Sequence, residues 1–231
     1  ALTVLERVAR LKGCVLTLVG RDVKFEFIGS SLEGQEFRVE NSNVQTLNVP
    51  LLGSHQIENA VTAYAALKAS GLTISDEQIQ KGFSQVKWPA RFEVVRREPP
   101  VIFDSAHNQD SFEKLSETLE TYFPAKKVYL IFGASEDKNI PGMFAALKSK
   151  IAKIIVTRAD HPRALEVEKI GLLADQAGAE WEALVPVKSA LARALELSSK
   201  DGSIVLSAGS MFVTAEVMKE WKSINESTAL E

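Results

Sequence analysis

The sequence predicts an α/β fold: a Rossmann-like, mostly parallel sheet with helices on both faces, preceded by a small segment of antiparallel strands and helices. Three observations carry this. From residue 89 onward, continuous apolar runs ("VIFD", "KVYLIFG", "AKIIVT", "SIVLSAG") alternate with amphipathic stretches, as in strands buried on both faces by crossover helices. Before residue 88, apolar residues alternate singly, as in "VKFEFIG", the pattern of a half-buried antiparallel sheet. Between the two, "VKWPARFEVV" breaks both rhythms at Trp88 and Pro89, which marks a linker. The expected domains are therefore residues 1–88 and 89–231.

In chain order, residues 14–49 read as short strands: "VLTLVGRD", "VKFEFIG", "GQEFRVEN" and "VQTLNVP", with turns at Gly-Arg-Asp, Ser-Ser-Leu-Glu-Gly and Glu-Asn-Ser-Asn. Cys14, small and apolar, is expected to be buried. Ile57, Ala60, Val61, Tyr64 and Leu67 have helical spacing, and Gly71 closes that helix. A second helix over 76–85 starts from a Ser75 cap. "RFEVVRRE" reads as an added edge strand. The strands that follow lead into a helix carrying Phe112, Leu115, Leu119 and Phe123, then helices over 140–147, 165–177, 189–197 and 211–221. A weak strand over 183–185 precedes the fourth of these five helices, and "NESTALE" reads as a frayed tail.

Composition excludes several functions. With 27 basic and 30 acidic side chains, a net charge of −3 and no dense basic run, neither a nucleic acid nor a membrane surface is an expected partner. No apolar run reaches the ~20 residues of a membrane span, and the opening "ALTVLERVARLKG" is no secretory signal. A single cysteine rules out an internal disulfide framework and fits a reducing compartment. The expectation is a soluble, cytoplasmic protein. The histidines lie some fifty residues apart and Cys14 stands alone, so no protein metal site is expected.

In an open α/β sheet, ligands bind beyond the carboxyl ends of the strands. Four predicted strand ends carry clusters of polar groups: Asp104, Ser105, His107 and Asn108; Ser135, Asp137 and Lys138; Arg158, Asp160, His161 and Arg163; Ser207 and Ser210. Asp104 could accept bonds from vicinal sugar hydroxyls, and His107 stands at a helix start, where free N–H groups favour an anion. Asn108 or Asp110 could cap that helix, with Glu113 completing a box with Asp110. Arg158 and Arg163 offer forks suited to carboxylates, although a solvated turn stiffened by Pro162 explains the cluster equally well. Ser210 also reads as a helix cap, and Lys138 as a surface lysine unless an anion lies over its loop. His55 and Asn59 share one helix face by their i, i+4 spacing, where an amide can pair with a purine edge. Neither G-x-S-x-G nor G-x-G-x-x-G occurs at a strand end.

"LLGSHQIENAVTAYAAL", "WPARFEVV", "VIFDSAHNQDS", "FGASEDKNI" and "SAGSMFVTAEV" come in an order that resembles folylpolyglutamate and dihydrofolate synthases, ATP-dependent amide-forming enzymes of the Mur ligase superfamily. "DHPRALEVE" also looks like the amino-acid-binding strand end of that superfamily. The resemblance implies a ligase that adds L-glutamate to a folate through an acyl phosphate. It implies ATP contacts at Asn59, His55, Arg91 and Asp104, glutamate contacts at His107, Ser210, Arg163 and Lys138, and catalytic roles for His107, Asp104 and Arg91. Ser105 and Ala90 stand where the family generally has Gly, which costs backbone freedom. The family's Gly-rich phosphate loop and the lysine that helps carry Mg2+ have no counterpart: no G-x-x-x-x-G-K-[ST] occurs in the sequence. The resemblance therefore implies the C-terminal part of a ligase, incomplete and inactive alone, partnered by an N-terminal ATPase portion that holds most of the ATP and Mg2+ contacts. A stand-alone glutamate- or nucleotide-binding module and a cell-wall ligase are the alternatives.

Overall fold

The computed structural model describes residues 2–40, 42 and 46–228. The chain forms two compact units, Ala1–Lys87 and Trp88–Glu231.

The first unit opens with helix α1 (Leu2–Lys12), which buries none of its side chains. Strands β1 (Phe25–Ser31), β2 (Gly34–Val39) and β3 (Leu47–Val49) form an antiparallel sheet in sequential order. Helices α2 (Ser54–Ala69) and α3 (Asp76–Ser84) cover it. The core is built from β2, β3, α2 and α3: Phe37, Val39, Leu47 and Val49 meet Ile57, Val61 and Tyr64 from α2 and Ile79 and Phe83 from α3, whereas the alternation of "VKFEFIG" does not sort β1, which buries no residue and leaves Phe27 exposed at the sheet edge. Ser75 caps α3 through a box with Gln78.

Two expectations change here, and one element stands where none was expected. "VLTLVGRD" forms no strand; Asp22 instead accepts the Leu18 N–H at 2.9 Å, closing a turn with one isolated bridge between Val19 and Val23. Cys14 is exposed, because it follows a helix with no buried face and no layer lies over it. Helix α1, at Leu2–Lys12, is the element not expected. The start of "VQTLNVP" (residues 44 and 45) lies outside the described residues; its end forms β3.

The second unit holds β4 (Glu93–Arg97), β5 (Pro100–Phe103), α4 (Gln109–Tyr122), β6 (Val128–Phe132), α5 (Ile140–Leu147), β7 (Ile151–Val156), α6 (Val167–Ala177), β8 (Trp181–Ala183), α7 (Val187–Asp201), β9 (Ile204–Ala208) and α8 (Met211–Thr228). The sheet order is β4-β5-β9-β6-β7-β8. Only β4 runs antiparallel, paired with β5 at the edge as "RFEVVRRE" suggested. Helices α4, α5 and α6 pack side by side on one face, and α7 and α8 on the other. Residues alternate accordingly: Ile131 lies in the cluster with Leu191 and Val217, while Phe132 meets the rings of Phe112 at 6.1 Å and Phe144 at 4.8 Å. The weak strand falls two residues earlier than expected, and α7 starts at Val187 and runs to Asp201. The predicted tail continues helix α8 to Thr228; residues 229–231 lie outside the described residues.

Chain order therefore sends β5 to β6, outward to β8, and back to β9 between β5 and β6. The first turns of α4, α5, α6 and α8 all follow the carboxyl ends of their strands, on one edge of the sheet.

Candidate functional site

The strand-end clusters are tied to one another by the backbone. At β5, the Asp104 N–H donates to the Ser207 carbonyl at 3.0 Å, and the Gly209 N–H donates to the Ala106 carbonyl at 2.8 Å. The Thr214 hydroxyl then donates to the Asp104 carbonyl at 3.2 Å and pairs with Ser207 Oγ at 3.0 Å. The loops after β5 and β9 thus form one structure that carries His107 and Ser210. At β6 and β7, Ser135 bridges Ala164, and the Leu165 N–H donates to the Ala134 carbonyl at 2.9 Å. Those two loops are likewise zipped together, bringing Lys138 and Arg163 to one place. Asn139 joins the halves, donating to Gln109 Oε1 at 3.0 Å.

Two glycines let these loops approach. A side chain on Gly209, at φ +105°, would meet the Phe132 ring at 2.5 Å; one on Gly133 would meet the Thr157 carbonyl oxygen at 2.6 Å. Nothing larger than hydrogen fits there.

Asn108, not Asp110, caps α4. Its side chain accepts the Ser111 N–H at 2.8 Å, and Ser111 Oγ accepts the Asn108 N–H at 3.1 Å. Ser111 Oγ accepts the His107 N–H as well, at 3.1 Å. Glu113 is engaged elsewhere, accepting from Gln109 at 2.9 Å, so the expected box with Asp110 does not form. The His107 ring is fixed through Nδ1, 2.9 Å from the Ser105 carbonyl. A carbonyl oxygen can only accept, so Nδ1 is the donor of this pair, and Nε2 has no hydrogen-bonding partner among the described residues. Ser210 Oγ accepts the Phe212 N–H at 3.2 Å, the capping role expected of it.

Asp104 does not present an open carboxylate. Oδ2 accepts the Phe92 N–H at 2.8 Å and Oδ1 the Ala106 N–H at 2.7 Å. Burial pushes its pKa above the usual carboxylate value, against those two bonds and the charges of Arg91 and His107. Arg91 is exposed, and its guanidinium has no hydrogen-bonding partner among the described residues.

At the other pair of loops, Lys138 lies 3.0 Å from Asp137. That hydrogen bond, helped by the charges of Lys138 and Arg163, holds the Asp137 carboxyl below its ordinary value. Arg163 is exposed and carries no side-chain ion pair among the described residues. Arg158, the neighbouring fork, is engaged by Glu166 at 2.7 Å. His161 stacks on Phe212 with centroids 4.0 Å apart, and its Nδ1 accepts the Arg163 N–H at 3.2 Å. A cleft of about 480 Å³ opens beside it, lined by Arg158, Asp160, His161, Glu166, Pro186 and Glu216.

In the first unit, His55 is half-buried and Asn59 exposed on α2. Gln56, buried between them, links the two: its amide nitrogen lies 2.9 Å from His55 Nε2, and its oxygen accepts from Asn59 at 3.2 Å. Sequence reasoning missed Gln56 because it sits on the apolar side of the helix, beside Ile57. It also missed Glu93, which accepts the Ala90 N–H at 2.8 Å from within an ordinary strand pattern. No group of three or more His, Cys, Asp or Glu side chains among the described residues could hold a metal ion.

Residues 90–211 match the family model of the Mur ligase glutamate ligase domain. A dihydrofolate synthase/folylpolyglutamate synthase of Bacillus subtilis is 28% identical over 190 residues, covering 80% of this chain and 44% of that protein. The folylpolyglutamate synthase of Mycobacterium tuberculosis, solved with ADP and AMPPCP, superposes with a TM-score of 0.84 at 25% identity, covering 94% of this chain and 52% of that one. Escherichia coli FolC with DHPP and ADP gives 0.79 at 28% identity, with 96% and 51% covered. The chain thus spans about half the length of these relatives or less. With its α/β architecture and the match over more than half its residues, the chain belongs to the Mur ligase family, through the glutamate ligase domain.

Proposed function

We propose that this chain is the C-terminal, amino-acid-receiving part of an ATP-dependent ligase that joins L-glutamate to a folate or folylpolyglutamate. The observation that carries the reading is the joining of four strand-end loops along one sheet edge. That edge offers an unpaired arginine, a lysine, a histidine donating through Nδ1 and a helix N-terminus, all suited to an amino acid with two carboxylates.

In this reading Arg163 grips one glutamate carboxylate and Lys138 adds charge beside it. His107, through Nε2, and Ser210 seat the backbone end of the amino acid. Glutamate is held so that its amine can attack an acyl phosphate, displacing phosphate; orientation of the amine is the contribution of these residues. His55 and Asn59 would meet the adenine through their outer edges, held by Gln56. Arg91 would reach the ATP phosphates and stabilise the charge of the transferring group; Asp104 stands behind it.

Mg2+ finds no ligand set among the described residues, and the sequence has no phosphate loop. We assign both to the portion of the relatives that this chain does not span, together with much of the folate surface. The setting is a soluble, cytoplasmic enzyme of one-carbon metabolism; no helix of the described residues is long and apolar enough to cross a membrane.

Equilibrium binding of radiolabelled L-glutamate tests the reading. Arg163→Ala and His107→Ala should each weaken binding at least tenfold while the far-UV spectrum is unchanged. Equal binding by both variants would return these loops to ordinary solvated turns.

A further inference from the structure

Arg91 is held in an unusual way. Its two neighbours, Ala90 at φ 56° and Phe92 at φ 45°, are the only non-glycine residues in the left-handed region among the described residues. Such a backbone conformation is strained for a residue with a side chain, so the surrounding structure must compensate. The compensation is visible at both flanks. The Ala90 N–H donates to Glu93 Oε2 at 2.8 Å, and the Phe92 N–H donates to Asp104 Oδ2 at 2.8 Å. The Ala90 carbonyl in turn accepts the Ser105 N–H at 2.9 Å. Phe92 is buried, with its ring 6.2 Å from that of Tyr122 and 6.4 Å from that of Phe123. The turn is thus fixed by two carboxylates, a carbonyl and a buried ring, while the Arg91 guanidinium between them makes no hydrogen bond among the described residues, although its charge acts on Asp104.

We infer that Glu93 and Asp104 are positioning residues for Arg91: their carboxylates hold the backbone on either side of it in a left-handed turn and so fix where its guanidinium can reach. The inference rests on the reading of Arg91 as a phosphate contact. A free arginine loses rotamer freedom when it grips a phosphate; a fixed backbone removes part of that cost before the ligand arrives. Asp104 then serves the nucleotide site through Arg91, by way of the Phe92 N–H, and Ala106 is its second anchor, tying the turn to the end of β5.

The test uses the intact chain with two readouts, amide hydrogen exchange at Ala90 and Phe92 and affinity for inorganic triphosphate. Glu93→Ala should speed exchange at Ala90 at least tenfold and weaken triphosphate binding at least threefold. Glu93→Gln, which keeps an acceptor oxygen, should restore both. Asp104→Asn keeps one acceptor where two are used, and should speed exchange at Phe92 or Ala106 at least tenfold. In an Arg91→Ala background, Glu93→Ala should weaken binding no further. Unchanged exchange in Glu93→Ala and Asp104→Asn overturns the positioning role. So does a binding loss of equal size with and without Arg91. No measurable affinity in the wild-type chain, or an unchanged affinity in Arg91→Ala alone, overturns instead the phosphate reading of Arg91, and exchange alone then decides whether the two carboxylates hold the turn.

Discussion

Single residues at the end of β5 do several jobs at once. Asp104 is the clearest case, since burial raises its pKa although two N–H groups bond it. A carboxyl whose native pKa lies above its unfolded value binds more protons folded than unfolded between the two values. Stability therefore falls as pH rises from the ordinary carboxyl value through the raised one. Urea unfolding across the acid range should show this slope, and Asp104→Asn should flatten it; an unchanged slope would mean that the carboxylate is better solvated than its surroundings suggest. Ala90 gives a second prediction. Left-handed alanine costs about 1–2 kcal/mol, partly offset by the unfolded-state entropy of glycine, about 0.4–1 kcal/mol. Ala90→Gly should therefore stabilise the second unit by up to about 1.6 kcal/mol, read as a higher urea midpoint; a lower midpoint would show that the methyl packing outweighs the strain. The sequence made Asp104 and His107 conspicuous by residue type, but not the direction in which Asp104 points. A carboxylate after a strand can face a ligand or its own backbone, and only the path of residues 90–92, twelve positions earlier, decides between them.

Secondary-structure elements were legible wherever an apolar period was long. Strands β5, β6 and β9 are buried along most or all of their length and β7 along its second half, so their runs had no competing reading. Reading failed where local polar chemistry decided the outcome. "VLTLVGRD" has strand-like composition, yet Asp22 takes the Leu18 N–H and closes a turn. At α4 both Asn108 and Asp110 are good caps by type, and Ser111 Oγ settles the choice by accepting the N–H groups of both His107 and Asn108. Asn108→Ala should cost about 1 kcal/mol; a loss under a few tenths in urea unfolding would show that Ser111 alone caps the helix. The strand ends also meet more closely than any sequence pattern reveals. Gly209→Ala should cost about 2 kcal/mol or more, by overpacking against Phe132 and strain at φ +105°. A thermal midpoint equal to that of the wild type would mean that the ring moves aside freely.

At the scale of the whole molecule, two compact units carry different parts of the proposed chemistry: an adenine-facing His55–Gln56–Asn59 string in the first, and Arg91 with the glutamate-facing loops in the second. The division near Trp88 and Pro89 could be read from the sequence because a change of period is a long-range signal. The convergence of loops could not be read as directly, since β9 returns from the far end of the chain to lie between β5 and β6. The strand-end rule for open α/β sheets supplied what periodicity lacked. On the proposed function this chain supplies the receiving groups of a ligase, while its sequence contains no G-x-x-x-x-G-K-[ST] loop to form a phosphate nest. Phosphate release by the 231-residue chain, supplied with ATP, Mg2+, a reduced folate and L-glutamate, tests it most directly. No release above a heat-inactivated control is expected. Sustained turnover, abolished by Arg91→Ala, would contradict it and would mean that these residues assemble a complete phosphoryl-transfer site by themselves.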